Sequence, residues 1–202
     1  MSMLAFDAAY TRTDEEPESN IPHGAVRDAE VRQLILEYGG ASYQEGLYRI
    51  FNLAEALRWT ATVSRFFPAE SAAVEAFARD WQGNLFTWRG GAAPCVHLFQ
   101  PGAGDVFEVS ESLDRFHNEE LVEHAEEALS FSLWQEWRST SPAPSRQQCV
   151  AYRQPVFLGG GIAVDNLVLA GMDVYWEVTG QLLVQVRNLP DGAPVERIDL
   201  TY

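Results

Sequence analysis

Apolar positions recur with a helical period in several stretches of the chain and alternate or cluster in others. Val31, Leu34, Ile35 and Tyr38 stand at i, i+3, i+4 and i+7, which is one face of a helix. Asp28 is placed to cap its start, and Gly39-Gly40 to end it. A second helix follows Asn52, with Glu55 at the capping-box spacing and Leu53, Ala56, Leu57 and Ala61 as its buried stripe. Pro68 closes it after Phe66-Phe67. Residues 72–81 predict a short helix or turn ending at Trp81-Gln82-Gly83. Strands are predicted at 47–51, 85–89, 95–99 and 105–109, the last two joined by a Pro- and Gly-containing turn at 100–104. Farther on the chain returns to β: Val156-Phe157-Leu158 reads as a strand that leads into Gly159-Gly160-Gly161, a tight turn, and a further apolar run covers 164–170. Residues 173–178 and 181–186 flank Thr179-Gly180 and predict a second hairpin.

Residues 118–130 carry the clearest helical pattern. At 100° per residue, Leu121, Val122, Ala125, Ala128 and Leu129 fill an arc of about 120°. Glu119, Glu120, Glu123, Glu126 and Glu127 fill the opposite arc, and Asn118 is placed to cap the start. Phe131, Trp134 and Trp137 fall outside the apolar arc and need a second packing surface or a partner. Residues 139–148, rich in Ser and Pro, read as a loop, and polar residues 11–24, with Pro17 and Pro22, as an extended arm. Irregularly mixed helices and hairpins predict an α+β fold with mainly antiparallel sheet. An arm at 1–27 is followed by two closely packed subdomains, 28–110 and 111–202, with the boundary near residues 110–113. Trp59, Trp81 and Trp176 lie in or beside apolar segments and are expected in the core.

Charge changes this picture most. The 202 residues hold 29 acidic side chains against 14 basic ones, all Arg, for a net charge of −15. Nearly half the residues are apolar and aromatics are plentiful, so the chain is not intrinsically disordered. A chain so acidic lacks the basic footprint that nucleic acid demands. No run is long enough to cross a membrane, and the N-terminal residues predict no secretory leader. Cys95 and Cys149 are expected as reduced thiols, which places the protein in the cytoplasm. Residues 105–127 hold nine acids and one base, Arg115, a net −8 that is over half of the whole excess. On a solvated face signs usually mix. Unpaired glutamates at close spacing repel each other, and a cationic partner would relieve that cost. Simple solubility is the competing reading.

Dedicated chemistry is harder to find. Cys95 and His97 share a strand face, and His117 and His124 are seven apart near one helix. No pair has a CxxC or HxxxH spacing, so neither a metal nor a cofactor is expected. No nucleophile elbow is present, and the absence of Lys removes Schiff-base chemistry and lysine-dependent phosphate loops. Asp165 and Glu177 stand beside apolar runs and are the candidates for a carboxylate-based site, although Asp165-Asn166 can equally cap backbone groups. No catalytic residue is assigned.

Several segments in order carry a family resemblance. Tyr38-Gly39-Gly40, Gly46-Leu47-Tyr48-Arg49-Ile50-Phe51, Trp59, Phe67-Pro68, Phe77-Ala78-Arg79-Asp80-Trp81-Gln82-Gly83 and Pro101-Gly102-Ala103-Gly104-Asp105-Val106 resemble the GAD-like domain that opens certain bacterial immunity proteins. Phe116-His117-Asn118-Glu119-Glu120-Leu121, Pro155-Val156-Phe157-Leu158-Gly159-Gly160, Asp165-Asn166-Leu167 and Asp173-Val174-Tyr175-Trp176 are similar to the C-terminal domain that accompanies it. The resemblance covers residues 28–190 and implies an immunity protein that binds a DNase effector of the type VI secretion system. It brings no catalytic motif. The expectation is therefore a toxin-binding protein that blocks an active cleft or DNA groove, contacting its partner through Glu119, Glu120, Glu123, Glu126, Glu127 and Trp134. The alternatives are a small carboxylate-based enzyme and a regulatory or scaffolding module without a toxin.

Overall fold

The computed structural model of the chain describes residues 3–13, 21–22, 24–190 and 199–200. Asp14, Glu15, Glu16 and Pro17 of the acidic arm lie outside them. The fold is α+β. In chain order it runs α1 (Leu4–Ala9), β1 (Arg12–Thr13), α2 (Ala29–Tyr38), β2 (Ser42–Tyr43), β3 (Tyr48–Ile50), α3 (Leu53–Phe66), then β4 (Glu75–Asp80), β5 (Leu85–Arg89), β6 (Cys95–Gln100) and β7 (Asp105–Ser110). A helical run follows, in which α4 (Leu113–Arg115) passes through a π-helical turn (Phe116–Glu120) into α5 (Leu121–Glu123). The remainder is α6 (Ala125–Leu129), α7 (Phe131–Thr140), β8 (Gln148–Tyr152), β9 (Leu167–Gly171) and α8 (Met172–Val186). Strands β1 to β7 form one antiparallel meander in sequence order, and β8 pairs with β9 separately. Nothing in that order requires a crossover: short connections join β2 to β3 and β4 through β7, while α2 lies in the connection from β1 to β2 and α3 in that from β3 to β4.

The caps do what their chemistry allows. Asp28 accepts from Glu30 N, and Asn52 and Glu55 complete a reciprocal capping box. The expected arm is partly core. Phe6 of α1 and the residues that flank the helix, Met3 and Tyr10, are buried at helical spacing, and Phe6 packs edge-on against Tyr43 and Tyr48. Tyr10 Oη donates to Leu121 O at 2.5 Å, tying the N-terminal helix to the acidic segment.

Three predicted elements change type. Residues 75–80 form β4, not a helix or turn; all six are buried, so no polar face marks the strand. Glu75, Arg79 and Asp80 look solvent-exposed in sequence, but each has partners inside: Glu75 accepts from Arg27 N and Asp28 N, and Arg79 donates to Arg146 O. Residues 172–186 form one helix, not a hairpin. Tyr175, Trp176, Thr179, Gly180 and Leu183 are its buried stripe, and Gly180 is the point of closest approach to α3, where a Cβ would stand 2.5 Å from the Phe66 ring. Val156–Leu158 is a single 3-10 turn, and the strand of this region, β8, begins at Gln148, where a loop was expected. Trp59, Trp81 and Trp176 are buried, and apolar residues from both sides of position 110 belong to one packed cluster.

Two buried titratable groups oppose each other in their effect on stability. His117 Nδ1 lies 2.7 Å from Leu113 O and Nε2 2.9 Å from Tyr48 Oη. A carbonyl only accepts, so Nδ1 carries the proton and Nε2 accepts from the tyrosine; the ring is neutral. Burial pushes its pKa down from 6.5 to about 4. Asp80 accepts from Gln82 N, Asn84 N and Asn84 Nδ2, yet burial outweighs these donors and raises its pKa from 3.8 to about 7. The depressed histidine favours the fold above pH 6.5, and that contribution, about 3 kcal/mol, is lost as pH falls through 4. The raised aspartate favours the fold below pH 3.8, and its contribution is lost as pH rises through 7. Between these limits the slopes cancel. Asp80→Asn, accommodated by a flip of the Asn84 amide, is therefore expected to lose stability between pH 6.5 and 4 more steeply than the parent, by up to about 1.4 kcal/mol per pH unit. Urea midpoints over a pH series measure it; parallel curves would refute the assignment.

Candidate partner-binding surface

The acidic segment is not one helix. Ser112 Oγ accepts from Arg115 N to start α4, and the π turn that follows inserts a residue into the helical register. This lets Phe116, His117 and Leu121 all reach the core. Asn118, expected as a cap, sits inside the run, where its Oδ1 accepts from Ala5 N. At His124 the backbone leaves the helical region (φ −119°, ψ 36°), and Ser130 in the left-handed region ends α6. Five glutamates therefore do not share a single face.

Their surroundings differ accordingly. Arg115 donates to Glu111 at 2.5 Å and to Glu119 at 2.8 Å, and stands 3.8 Å from Glu120. The expectation that the patch lacks a basic partner is thus corrected: Arg115 lies four residues from both Glu111 and Glu119, a spacing legible in the sequence. Glu126 accepts from Ser132 N and so supports the start of α7. Glu123 and Glu127 are exposed, whereas Glu120 is only partly so. Glu120 and Glu127 meet His124 and, across from them, Phe107 and Glu108 of β7 around an open groove of about 510 Å³ floored by Leu98 and Ala128. Glu119, Glu123 and Glu126 do not line it. Phe107 is 49% exposed on the last strand of the meander. Sequence reasoning passed over Phe107; its signal was an aromatic between acids on a strand whose outer edge has no further strand to pair with.

Trp134 does not belong to this surface. It is 5% exposed, its ring centroid lies 5.3 Å from that of Trp81, and Arg138 covers its other side at 5.6 Å. Trp137 is buried as well and donates through Nε1 to Pro142 O. The residues that overshoot the first apolar arc find their second packing surface within the chain, because α7 turns away at Ser130.

The carboxylates singled out for acid-base work have no environment suited to it. Asp165 is exposed in a 3-10 turn whose Asn166 performs the capping, bonding Gln154 N, Gln154 O and Gly161 O. Glu177 is gripped by both Arg65 Nη atoms at 2.7 and 2.8 Å; Gln181 and that guanidinium hold its carboxyl below the usual range, the opposite of a general acid. His117 and His124 are separated, one buried and one exposed. Cys149 is buried, which pushes its thiol up to about 12. Cys95 and His97 are brought together, with Glu108 of the neighbouring strand beside them. Among the described residues no helix is long and apolar enough to cross a membrane.

No family model and no curated protein matches the chain. Among solved structures it is similar to the crystal structure of Atu4351 from Agrobacterium tumefaciens, with a TM-score of 0.59 and 12% identity over 87% of this chain and 86% of that one. At that identity the likeness establishes a shared fold over nearly the whole length of both chains.

Proposed function

We propose that the chain is a binding protein that captures and neutralises a basic protein partner in the cytoplasm, as an immunity protein does a type VI secretion DNase, by covering its active cleft or DNA groove. The observation that carries this reading is the groove in which Glu120 and Glu127 stand across from the half-exposed ring of Phe107. A nuclease is basic where it grips DNA, so a carboxylate-lined groove on a chain of net charge −15 complements it and speeds encounter. An aromatic anchor inside a charged rim is the usual composition of an interface centre. The order of short motifs over residues 28–190 supports the family part of the reading. A carboxylate enzyme built on Asp165 or Glu177 draws no support from their surroundings.

The test titrates the purified protein against the product of the adjacent gene and follows nicking of plasmid DNA. Protection is expected at a one-to-one ratio. Glu127→Lys is expected to slow association about tenfold at low salt. Phe107→Ala is expected to speed dissociation about fivefold, the consequence of losing roughly 1 kcal/mol at an anchor. Cleavage that continues at stoichiometric excess overturns the reading, and capture of a partner that cleaves nothing would point to a scaffolding module instead.

A further inference from the structure

We propose that Cys95, His97 and Glu108 form a binding site for one divalent transition-metal ion of the zinc type. The inference goes beyond the capture of a protein partner and does not depend on it. Cys95 and His97 are two apart on β6, so their side chains leave the same face, and the antiparallel register sets Glu108 of β7 directly opposite His97. One ligand atom from each, a thiol sulfur, an imidazole nitrogen and a carboxylate oxygen, lies within 4.8 Å of the others.

The contact between His97 and Glu108 is longer than a hydrogen bond and close to the spacing of two ligands around a common ion. His97 Nε2 is 3.7 Å from Glu108 Oε1. Two ligands of a tetrahedral zinc ion at standard bond lengths stand about 3.4 Å apart. His97 is 4% exposed, and its Nδ1 has no hydrogen-bond partner. A buried imidazole with one nitrogen unpartnered and the other 3.7 Å from a carboxylate is costly, and coordination through Nε2 would give that nitrogen a full partner. Glu108 has the freedom to close the remaining gap, because its side chain is 70% exposed.

The donor set selects the ion. Thiolate and imidazole favour zinc and its neighbours over magnesium and calcium, which take oxygen ligands. On binding, the metal–sulfur bond replaces the S–H bond of Cys95 and the proton passes to solvent. Arg89 Nη2 donates to Glu108 Oε1 at 3.2 Å, the kind of outer contact that orients a ligating carboxylate. Three protein donors leave one position of a tetrahedral ion open, and Cys95 and Glu108 border a groove of about 320 Å³ shared with Arg89, Ser110 and Glu111.

The experiment strips the full-length protein with chelator and titrates it with Co²⁺, then with Zn²⁺. The expected result is one ion per chain, a thiolate-to-cobalt charge-transfer band, and displacement of cobalt by zinc. Cys95→Ser is expected to abolish the band. Glu108→Gln, an exposed change that leaves the core intact, is expected to weaken zinc at least tenfold, since loss even of outer-shell partners costs that much. Failure to bind zinc, cobalt bound without a thiolate band, or binding unaltered by Glu108→Gln each overturns the proposal. So does zinc held by Cys95→Ser but lost on Glu127→Gln, which would move the ion to His124, Glu120 and Glu127.

Discussion

Arg146→Ala is expected to destabilise the protein by about 3–5 kcal/mol, the cost of breaking a buried ion pair by removing one partner. Arg146 comes from the loop between α7 and β8 and reaches into the first half of the chain. Its Nε and Nη2 hold the Glu55 carboxylate at 2.9 and 2.5 Å, while Nη1 donates to Gly40 O at 2.6 Å and Nη2 to Ile50 O at 3.1 Å. The two side chains are only 12% and 17% exposed, so little water could replace the lost donors. Glu55 also completes the capping box of α3, so its orientation ties the helix start to the end of α2 and to β3. Arg146→Lys should recover only part of the loss, because one ammonium cannot serve a carboxylate and two carbonyls in the geometry of the guanidinium fork. Urea unfolding with an unchanged m-value measures the effect, and a double-mutant cycle with Glu55→Gln isolates the pair. A loss under about 1 kcal/mol would show the contact to be screened like a surface pair.

Trp134→Ala is expected to cost about as much, 3–5 kcal/mol on the scale of large aromatic truncations in a core. The ring fills the space between Trp81 and Arg138. Trp81 in turn donates through Nε1 to Leu129 O at 2.8 Å, so the cavity would open beneath the junction of α6 and α7. Phe107→Ala provides the contrast. Its ring is half exposed, and its removal should change stability by no more than about 0.5 kcal/mol while weakening partner capture. Thermal unfolding and binding of the folded fraction separate the two residues. If Trp134→Ala weakened binding without lowering stability, the ring would belong to the interface after all.

The site was legible in part. The excess of acid in residues 105–127 is a property of composition, and the groove draws Phe107, Glu120 and Glu127 from that segment. What the helical wheel could not supply was the π turn at Phe116–Glu120 and the break at His124. A wheel assumes one period throughout; here the need to bury Phe116, His117 and Leu121 together changed the register in the middle. The metal-binding cluster was half visible as Cys95 and His97 on one strand face. Its third member depended on the β6–β7 register, which shifts at a bulge between Val96 and His97.

Local signals set what local energetics control. The capping residues Asp28 and Asn52, the Gly-bearing turn between β6 and β7, and the antiparallel neighbours joined by short connections all rest on contacts between residues close in sequence. So does the net charge. Tertiary structure decided the elements whose sequence is ambiguous between periods. The β-branched and aromatic residues of 172–186 would suit a strand, but α8 forms because Gly180 admits the Phe66 ring and Trp176 Nε1 reaches Gly83 O at 2.8 Å. The charged residues of 75–80 form a buried strand because Arg27, Asp28 and Arg146, distant in sequence, supply backbone donors and acceptors to Glu75 and Arg79. Burial of a polar group is favourable only where its partners are already in place, and that placement is a property of the assembled fold.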